Sequence, residues 1–319
     1  MITISSAFES DLDQILLMFP KIDYKTDEPL KNHTSLRIGG PAKIMFFPAD
    51  TDELAALCRS LRGYGINPLV IGNGTNLLVD DKPLDIAVIK TTRLNAITLG
   101  RCDGSGANDA DRDSLITADC GAKLSQIAVF ASENGLSGLE FAHGIPGTLG
   151  GAVTMNAGAY EGEMKDIVRE TIAFDLEKGI LTIDAERHGF AYRKSCFLDS
   201  GMIVLSTTMR LFESNRAIIK AKMDELAERR RMTQPLDLPN AGSSFKRPAG
   251  GFAAAMIQEA GLKGYSVGGA QVSEKHSGFI VNQGGATFSD MMRLIDHIRE
   301  TVLKRTGVEL ELEIKVIRG

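Results

Sequence analysis

The hydrophobic pattern of the first 100 residues alternates between helical and strand-like spacing. Residues 50–65, DTDELAALCRSLRGYG, repeat apolar positions at helical spacing, with Asp50 and Glu53 at the N-cap and N3 positions and glycine at the end. Short apolar strands follow in NPLVIG, NLLV and DIAVIKTT, and the turn GNGTN (72–76) comes after the first of them. This order predicts an α/β-type unit with a tight glycine turn at one edge.

The rest of the chain continues with helices and strands on both sides of a long amphipathic helix. LSQIAVFASENG predicts a helix, residues 165–212 predict strands and turns, and AIIKAKMDELAERRRM predicts an amphipathic helix of good helix formers. We therefore expect a domain boundary just before that helix, near residue 213. Beyond it we predict helices in FAAAMIQEAG and SDMMRLIDHIRETVLKRTG, a strand around GFIVN, and one half-buried strand over the strictly alternating VELELEIKVI (308–317).

Composition and charge exclude several classes of protein. The 319 residues are 43% hydrophobic and 24% charged, which is typical of a globular protein of about two domains. The net charge of −5 does not favour nucleic acid, although a local basic patch can still bind an anionic small molecule. The N-terminal residues lack the pattern of a signal peptide, and no apolar run reaches the roughly 20 residues that span a bilayer. We expect a cytoplasmic protein with no nucleic-acid, membrane or obligate protein partner.

The cysteines and histidines give no sign of a metal site. The cysteines have no CxxC spacing and the five histidines are isolated, which predicts reduced thiols and no bound metal. The polar segment 101–114 is expected to be a surface loop. Its aspartates resemble the start of a calcium loop, but Ser114 and Cys120 stand where that loop requires glycine and glutamate. We therefore predict no calcium there.

Residues 144–160, GIPGTLGGAVTMNAGAY, contain five glycines and no charged side chain. Residues without a side chain let the backbone approach a ligand, and successive N–H groups in glycine turns can form phosphate sites. GNGTN is a second segment of this kind. Neither matches a standard phosphate motif, because Leu77 replaces the third glycine of a dinucleotide fingerprint and no GxxxxGK[ST] is present. On composition alone, tight turns and close packing are the favoured explanation of both segments.

Six segments occur in a fixed order along the chain: NHTSLRIGGPA, VIGNGTNLLV, GLEFAHGIPGTLGGAVTMNAGAYEGE, YRKSCF, NAGSSFKRPAGGFAAAMIQEAGLKG and LELEIKVI. In this order they resemble the UDP-N-acetylenolpyruvoylglucosamine reductase family, and six ordered matches are more specific than any single motif. The resemblance implies an α+β protein. Two FAD-binding subdomains of the vanillyl-alcohol-oxidase/PCMH-like fold, 1–90 and 91–212, would be followed by a C-terminal α+β substrate-binding domain, 213–319.

The resemblance also implies a cofactor, a reductant and a substrate. The family binds FAD non-covalently, reduces it with NADPH, and reduces UDP-N-acetylglucosamine enolpyruvate to UDP-N-acetylmuramate in bacterial peptidoglycan synthesis. The glycine segments would then be bare so that backbone lies against FAD. The residues implied for FAD are Gly72, Asn73, Gly74, Thr75 and Asn76 on one side of the pyrophosphate, Gly147, Gly150, Gly151 and Ala152 on the other, Asn156 through its amide, and Arg37, which alternatively braces its turn.

Three residues match the family's catalytic positions. Hydride addition β to a carboxylate builds enolate-like charge, so the site needs a cation or donors for that charge and a proton donor near the other carbon. Arg193 in YRKS would hold the substrate carboxylate, because a guanidinium binds carboxylates through two hydrogen bonds. Ser243, rather than its neighbour Ser244, matches the proton donor, and Glu313 in ELEIK matches the carboxylate that assists protonation.

Several basic residues are candidates for the diphosphate of the UDP-sugar. They are Lys246, Arg247 and Lys275, whereas the run 229–231 is better explained as the cationic end of a helix. His143 stands where small residues are usual in the family, and the tyrosine-bearing loop of one family type is missing. Two alternatives remain open. One is a flavin-dependent sugar or alcohol oxidase with flavin tethered by His143 or Cys120, and the other is a non-catalytic nucleotide-binding module.

Overall fold

The structure is a computed structural model that describes residues 5–101, 114–160 and 162–319. The helices of the described chain are α1 (Ser5–Met18), α2 (Thr51–Gly63), α3 (Leu124–Glu133), α4 (Leu149–Thr154), α5 (Phe197–Ser200), α6 (Arg216–Thr233), α7 (Ala253–Glu259) and α8 (Phe288–Thr306). The strands are β1 (Asp23–Pro29), β2 (Pro41–Phe47), β3 (Leu69–Ile71), β4 (Leu77–Val79), β5 (Leu84–Lys90), β6 (Ile97–Arg101), β7 (Ser114–Asp119), β8 (Leu136–Ser137), β9 (Gly158–Ala159), β10 (Gly162–Glu163), β11 (Val168–Asp175), β12 (Gly179–Asp184), β13 (Ile203–Glu213), β14 (Asn240–Ser243), β15 (Ser266–Val267), β16 (Ala270–Val272), β17 (Phe279–Asn282) and β18 (Lys315–Ile317).

The chain divides into two compact units, and each unit is assembled from separated stretches. The first unit comprises the described residues up to Thr26 together with Ile44–Gly72 and Ile86–Leu226. The second unit comprises Asp27–Lys43, Asn73–Asp85 and Ala227–Gly319. This division differs from the three consecutive segments expected from the sequence. The reason is that β4, early in the chain, pairs in parallel with β18 near its end, so residues 73–85 belong with the C-terminal stretch.

The first unit is built on antiparallel strands in the order β12-β11-β13-β7-β6, and β8 pairs with the end of β13. The sheet β1-β2-β5-β3 carries β3 and β5 as parallel neighbours. Helix α2 buries Leu54, Leu57 and Leu61 completely in the core of this unit. Its predicted cap is confirmed, because the Asp50 carboxylate accepts a hydrogen bond from the N–H of Glu53 at 2.8 Å.

The second unit has the antiparallel strand order β14-β17-β16-β15, with the parallel pair β4–β18 as a separate ladder. Helix α8 starts with a capping box between Thr287 and Asp290 and ends at Gly307, whose φ of 73° is left-handed. Its apolar face forms a core with α7 and the strands of this unit. Helices packed with antiparallel strands in both units confirm the predicted α+β class.

One local prediction differs from the structure. The segment 308–317 is not one strand: Leu312 makes an isolated bridge to Phe245, and regular pairing begins only at Lys315. The strict alternation is broken where Glu313 is half-buried, although the neighbouring acids Glu309 and Glu311 are exposed. The predicted loop at 101–114 lies almost wholly outside the described residues. None of the described helices has the length and apolar character needed to span a membrane.

Candidate active site

The turn that carries Arg193 has a strained backbone and is closed by two backbone hydrogen bonds. Ala191 and Lys194 exchange backbone hydrogen bonds of 3.0 and 3.1 Å, so Tyr192 and Arg193 occupy the two central positions of a tight turn. Arg193 has a φ of 53°, in the left-handed region where a central turn position usually carries glycine. Such a backbone costs about 1–2 kcal/mol for an ordinary residue, so the side chain must contribute something that glycine would not.

The described non-glycine residues with left-handed backbone lie mainly in the motif segments. Among the described non-glycine residues, Asp27, Arg37, Asn156, Tyr160 and Arg193 have positive φ. All except Asp27 lie in segments that carry the family resemblance. The exposed Arg37 also donates its N–H to the Thr34 carbonyl at 3.2 Å, so its backbone closes the turn that its side chain was alternatively expected to brace. Backbone strain of this kind is typical of functional sites.

Asn156 connects the glycine-rich segment to the Arg193 turn. Its buried amide nitrogen donates to the Ala191 carbonyl at 3.1 Å and to Glu163 Oε2 at 2.9 Å, while its oxygen accepts from the N–H of Lys165 at 2.9 Å. A second tie runs from the Ser195 hydroxyl to the Thr154 carbonyl at 2.8 Å. Both N–H groups of the Asn156 amide therefore donate within the protein, and neither is available for the expected hydrogen bond to a cofactor. The geometry favours a positioning role for this residue.

The predicted cofactor glycines lack a Cβ atom for different structural reasons. A Cβ atom added at Gly72 would lie 1.9 Å from Thr148 Oγ1, and one at Gly150 would lie 3.0 Å from the Cβ of Cys120. Both positions are therefore cleared for close packing inside the first unit. Gly151, which is exposed in the first turn of α4, would place a Cβ at an ordinary contact distance, 4.0 Å from Thr148 Oγ1. Of these three glycines, only Gly151 has an open face on which a flat or anionic ligand can lie.

Two N–H groups in the first turn of α4 already donate hydrogen bonds to carbonyl groups of the protein. The N–H groups of Leu149 and Gly150 donate to Ala122 and Cys120 at 2.9 and 2.8 Å. Ala152 is buried and donates to the Thr148 carbonyl at 2.9 Å, and the Gly147 carbonyl accepts from the N–H of Leu124. These bonds fix the backbone of the segment, so the exposed face of Gly151 is held in place by its neighbours.

Cys120 and His143 were the two residues considered for a covalent flavin link. Burial raises the pKa of the Cys120 thiol to about 12, so this side chain is neutral and unreactive at neutral pH. His143 is half-buried, and its Nδ1 is enclosed without a hydrogen-bond partner. A buried orphan nitrogen is unusual and is consistent with a ligand atom as its partner. Cys120 has no reactivity that a flavin tether would need.

The second unit brings Glu313 and the serine motif together. The N–H of Glu313 donates to the Ser244 carbonyl at 3.0 Å, and the N–H of Lys246 donates to the Glu311 carbonyl at 2.8 Å, on either side of the Phe245–Leu312 bridge. Asn76 joins the same group, because its side-chain amide donates to the Glu313 carbonyl at 3.1 Å and its own carbonyl accepts from Lys315 at 3.0 Å. Hydrogen bonds therefore connect Asn76, Ser244 and Glu313, which come from three distant motifs.

The two serines of this motif have different environments. Ser244 is completely buried, and its hydroxyl oxygen accepts a hydrogen bond from the N–H of Ile280 at 3.1 Å. Ser243 is only half-buried and follows Gly242, whose φ of 76° is left-handed. A bulge between Asn240 and Ser243 marks the same place in the β14–β17 pairing. The structure therefore gives Ser244 a structural contact and leaves Ser243 as the more accessible hydroxyl.

The glycine turn 72–76 continues into the second unit with Asn73, Gly74, Thr75 and Asn76. A Cβ at Gly74 would lie 2.1 Å from the His33 carbonyl, and the φ of Gly74 is 62°. The Gly74 carbonyl also accepts from the N–H of Ser35 at 3.1 Å. Gly74 is therefore required by a close backbone crossing, and Asn73 and Thr75 are half-buried on either side of it.

The predicted substrate cations have three distinct settings. Lys246 forms an ion pair with Glu311. The guanidinium of Arg247 lies over the Phe252 ring, 4.1 Å from its centroid. Lys275 donates to the Arg231 carbonyl and lines a cavity of about 660 Å³ together with Arg231, Asp237, Glu274, Gln271 and Gln283. Among the described residues, no cluster of acidic, histidine or cysteine side chains is arranged to hold a metal.

Sequence reasoning missed several residues that shape the site. Thr148 is buried against Gly72, and Asn240 closes the turn before Ser243 by accepting from Gly242 N–H and donating to Pro235 and Leu238 carbonyls. Asn240 has a local signal, since an asparagine two residues before a glycine is typical of a side-chain-closed turn. Thr148 has none, because its partner is 76 positions away in the chain.

Comparison with known proteins assigns the class and then the family. Residues 42–183 match the family described as FAD binding domain, and residues 234–317 match UDP-N-acetylenolpyruvoylglucosamine reductase, C-terminal domain. The chain is therefore a flavoprotein oxidoreductase with an FAD-binding domain and a C-terminal domain, as the sequence predicted. It belongs to the UDP-N-acetylenolpyruvoylglucosamine reductase family.

Individual relatives support the same assignment over nearly the full length. The UDP-N-acetylenolpyruvoylglucosamine reductase of Caldanaerobacter subterraneus subsp. tengcongensis is 48% identical, with 91% of this chain and 92% of that protein covered. That of Clostridioides difficile strain 630 is 44% identical, with 95% and 96% covered. The crystal structure of the Thermus caldophilus enzyme is 34% identical, has a TM-score of 0.75, and covers 93% of this chain and 99% of that one.

Proposed function

We propose that this protein reduces UDP-N-acetylglucosamine enolpyruvate to UDP-N-acetylmuramate, with FAD as bound cofactor and NADPH as reductant, in peptidoglycan precursor synthesis. The observation that carries the proposal is the backbone pairing of the second unit, in which the N–H of Glu313 donates to Ser244, the residue next to Ser243. When bound, FAD supplies hydride-transfer chemistry that no side chain can supply. The remaining requirements are a cation for the substrate carboxylate and a proton donor.

Arg193 is the cation that we assign to the substrate carboxylate. Its planar guanidinium can bind a carboxylate through two parallel hydrogen bonds, and the same contact stabilises the enolate-like charge that builds up during reduction. The strained turn and its ties to Asn156 and Ser195 hold the Arg193 backbone in one place. A positioned cation is worth more than a mobile one, because its orientation is fixed before the reaction begins.

Ser243 is the proton donor in this proposal, and Glu313 assists it. A serine hydroxyl is a weak acid, but protonation of a carbanion-like carbon runs downhill even from a weak acid. The partial exposure of Ser243 supports this role over Ser244, whose hydroxyl already accepts from Ile280. Glu313 is the least exposed of the three glutamates in its segment, and a half-buried carboxylate suits hydrogen bonding to a reacting group.

The residues proposed for FAD are those implied by the family resemblance, except that Asn156 becomes a positioning residue, and Gly151 has the strongest structural support. For the substrate diphosphate, Arg247 and Lys275 are preferred over Lys246, because Glu311 already neutralises the Lys246 ammonium. A cytoplasmic location is also proposed. It is consistent with Cys58, Cys120 and Cys196, which are all free thiols.

A single spectroscopic experiment tests the function. The purified protein is scanned in the visible range, then treated under anaerobic conditions with NADPH and afterwards with UDP-N-acetylglucosamine enolpyruvate. Flavin bands that bleach with NADPH and return with the enolpyruvyl sugar support both half-reactions. Protein that takes up no flavin, even with added FAD, would contradict the proposal and favour a nucleotide-binding module. Bands that return only with oxygen, after reduction by a sugar or alcohol, would favour the oxidase alternative.

A further inference from the structure

Lys90, the last residue of β5, is a buried cation without an ion pair. The residue is 7% exposed. Of the charged side chains buried in the described chain, Asp290 is paired with Arg293 and hydrogen-bonded to Thr287 N–H, whereas Lys90 has neither an ion pair nor a side-chain hydrogen bond there. Burial alone lowers the pKa of Lys90 to about 8, with no contribution from a neighbouring charge. An isolated buried ammonium is costly, so it needs an explanation.

The position of Lys90 next to the glycine turn explains why the protein carries this buried charge. Along β5, Ala87 and Ile89 belong to the core of the first unit, so alternation directs Lys90 to the opposite face of the strand. In the parallel pair β3–β5, Lys90 is the direct partner of Ile71, the residue immediately before Gly72. The N–H and hydroxyl of Thr91 both donate to the Ile71 carbonyl, at 2.9 and 3.2 Å, which locks this register.

No carboxylate on the neighbouring strands can neutralise Lys90. Strand β3 carries no titratable residue, and the titratable residue of β2 is Lys43, which is also a cation. On β5 itself the acid is Asp85, which is exposed and five positions away. The unmatched positive charge beside a glycine turn is therefore suited to an anionic ligand, and a bound anion would recover the free energy that burial of the ammonium costs.

We infer that Lys90 binds the diphosphate of FAD when the cofactor lies against the backbone of the glycine turn that follows β3. This inference rests on the proposed function, since it assumes that FAD is the ligand of that turn. Lys90 lies within the segment that matches an FAD binding domain. The contact would be a charge-assisted hydrogen bond from Nζ to a phosphate oxygen, and it adds a residue to the diphosphate site that none of the glycine motifs contains.

The test measures cofactor binding to the deflavinated protein. Flavin fluorescence quenching gives the Kd of FAD and of riboflavin, which lacks both phosphates, at pH 7. Lys90→Met is expected to raise the Kd of FAD about tenfold or more and to leave the Kd of riboflavin within about twofold of wild type. The control Lys178→Met removes an exposed lysine of the same unit and should change neither value.

A second measurement needs no variant. The Kd of FAD for the wild-type protein is followed from pH 6.5 to 9.5, with riboflavin as reference, and FAD binding should weaken relative to riboflavin as Lys90 loses its proton. An unchanged Kd in Lys90→Met, an equal loss for both flavins, or parallel pH profiles would overturn the Lys90 assignment. A wild-type protein that binds no FAD would instead overturn the proposed function.

Discussion

The main-chain N–H of Glu313 donates to the carbonyl oxygen of Ser244 at 3.0 Å, so the C-terminal acid and the serine motif are joined through backbone. Side-chain substitutions at Ser243 and Ser244 leave this bond in place. The two serines can therefore be compared without moving Glu313. Their environments predict opposite consequences for chemistry and stability.

Ser243→Ala should leave reduction of the flavin by NADPH nearly unchanged and slow the reduction of the enolpyruvyl sugar by about 10²–10⁴-fold, because the proton donor is lost. Ser244→Ala should keep most of the activity. It should lower the free energy of unfolding by about 1–3 kcal/mol, since the Ile280 N–H loses its buried partner. Stopped-flow measurement of the two half-reactions and urea unfolding give the comparison. Equal slowing of both half-reactions in Ser243→Ala would contradict its role.

Substitutions at Arg193 should affect the stability of the fold and the activity in different ways. Arg193→Gly removes the left-handed strain and should be more stable than Arg193→Ala by up to about 1 kcal/mol, because alanine keeps the strain. Both variants should bind FAD and lose most of the second half-reaction, since neither can hold a carboxylate. Thermal unfolding and single-turnover kinetics measure the two effects. If Arg193→Gly retains normal kinetics, the guanidinium is not the carboxylate ligand.

Gly150 and Gly151 form a matched pair for the cofactor. Gly150→Ala places a methyl group 3.0 Å from the Cβ of Cys120, so this variant should lose stability whether or not FAD is present. Gly151→Ala makes only an ordinary contact with Thr148 and should be at least as stable as wild type, yet purify with less FAD if backbone lies against the cofactor there. The ratio of flavin to protein absorbance, with urea unfolding, separates the cases. Full FAD content in Gly151→Ala would contradict close approach at this residue.

The lowered pKa of Lys90 predicts that the free energy of unfolding of the FAD-free protein depends on pH. Its pKa is lowered from 10.5 to about 8 in the folded state, so between these values the unfolded chain binds more protons. The free energy of unfolding should therefore rise with pH across this interval, relative to Lys90→Met. Cys58 and Cys120, whose pKa burial raises to about 12, act in the opposite direction above pH 9 and cancel in the comparison. Urea unfolding at pH 7 and at about pH 9.5 checks the sign, and a constant difference between the two proteins would refute it.

Helices α2 and α3 and strands β3 and β5 of the first unit could be predicted because their signals are local. The Asp50 cap and the spacing of Leu54, Leu57 and Leu61 are contained within one short stretch. The segment 308–317 was predicted wrongly as one strand, because alternation reports burial and not the presence of a pairing partner. Only Lys315–Ile317 finds a continuous partner, in β4. The start of α4 was not foreseen, since its glycines weaken the helical signal.

The candidate site divides in the same way. Motif order was enough to select Arg193, Ser243 and Glu313. It could not reveal that Asn156 donates to Ala191, that Gly150 is cleared for Cys120, or that Ser244 is used by Ile280. Each of these contacts joins residues that are about 30 or more positions apart, and no local pattern encodes such a pairing. The reason why a position requires glycine depends on the atoms that surround it in the folded protein.

The ladder between β4 and β18 also bears on the order in which the protein can fold during synthesis. Asn76 and Glu313 are 237 positions apart, yet they are hydrogen-bonded neighbours. The strand Leu77–Val79 therefore leaves the ribosome long before the strand that completes it. At a synthesis rate of roughly 5–20 residues per second, this edge waits for about ten seconds or more with its parallel partner missing. Chaperone binding to the nascent chain should accordingly persist until the last strand has emerged, even though the first unit contains its own core.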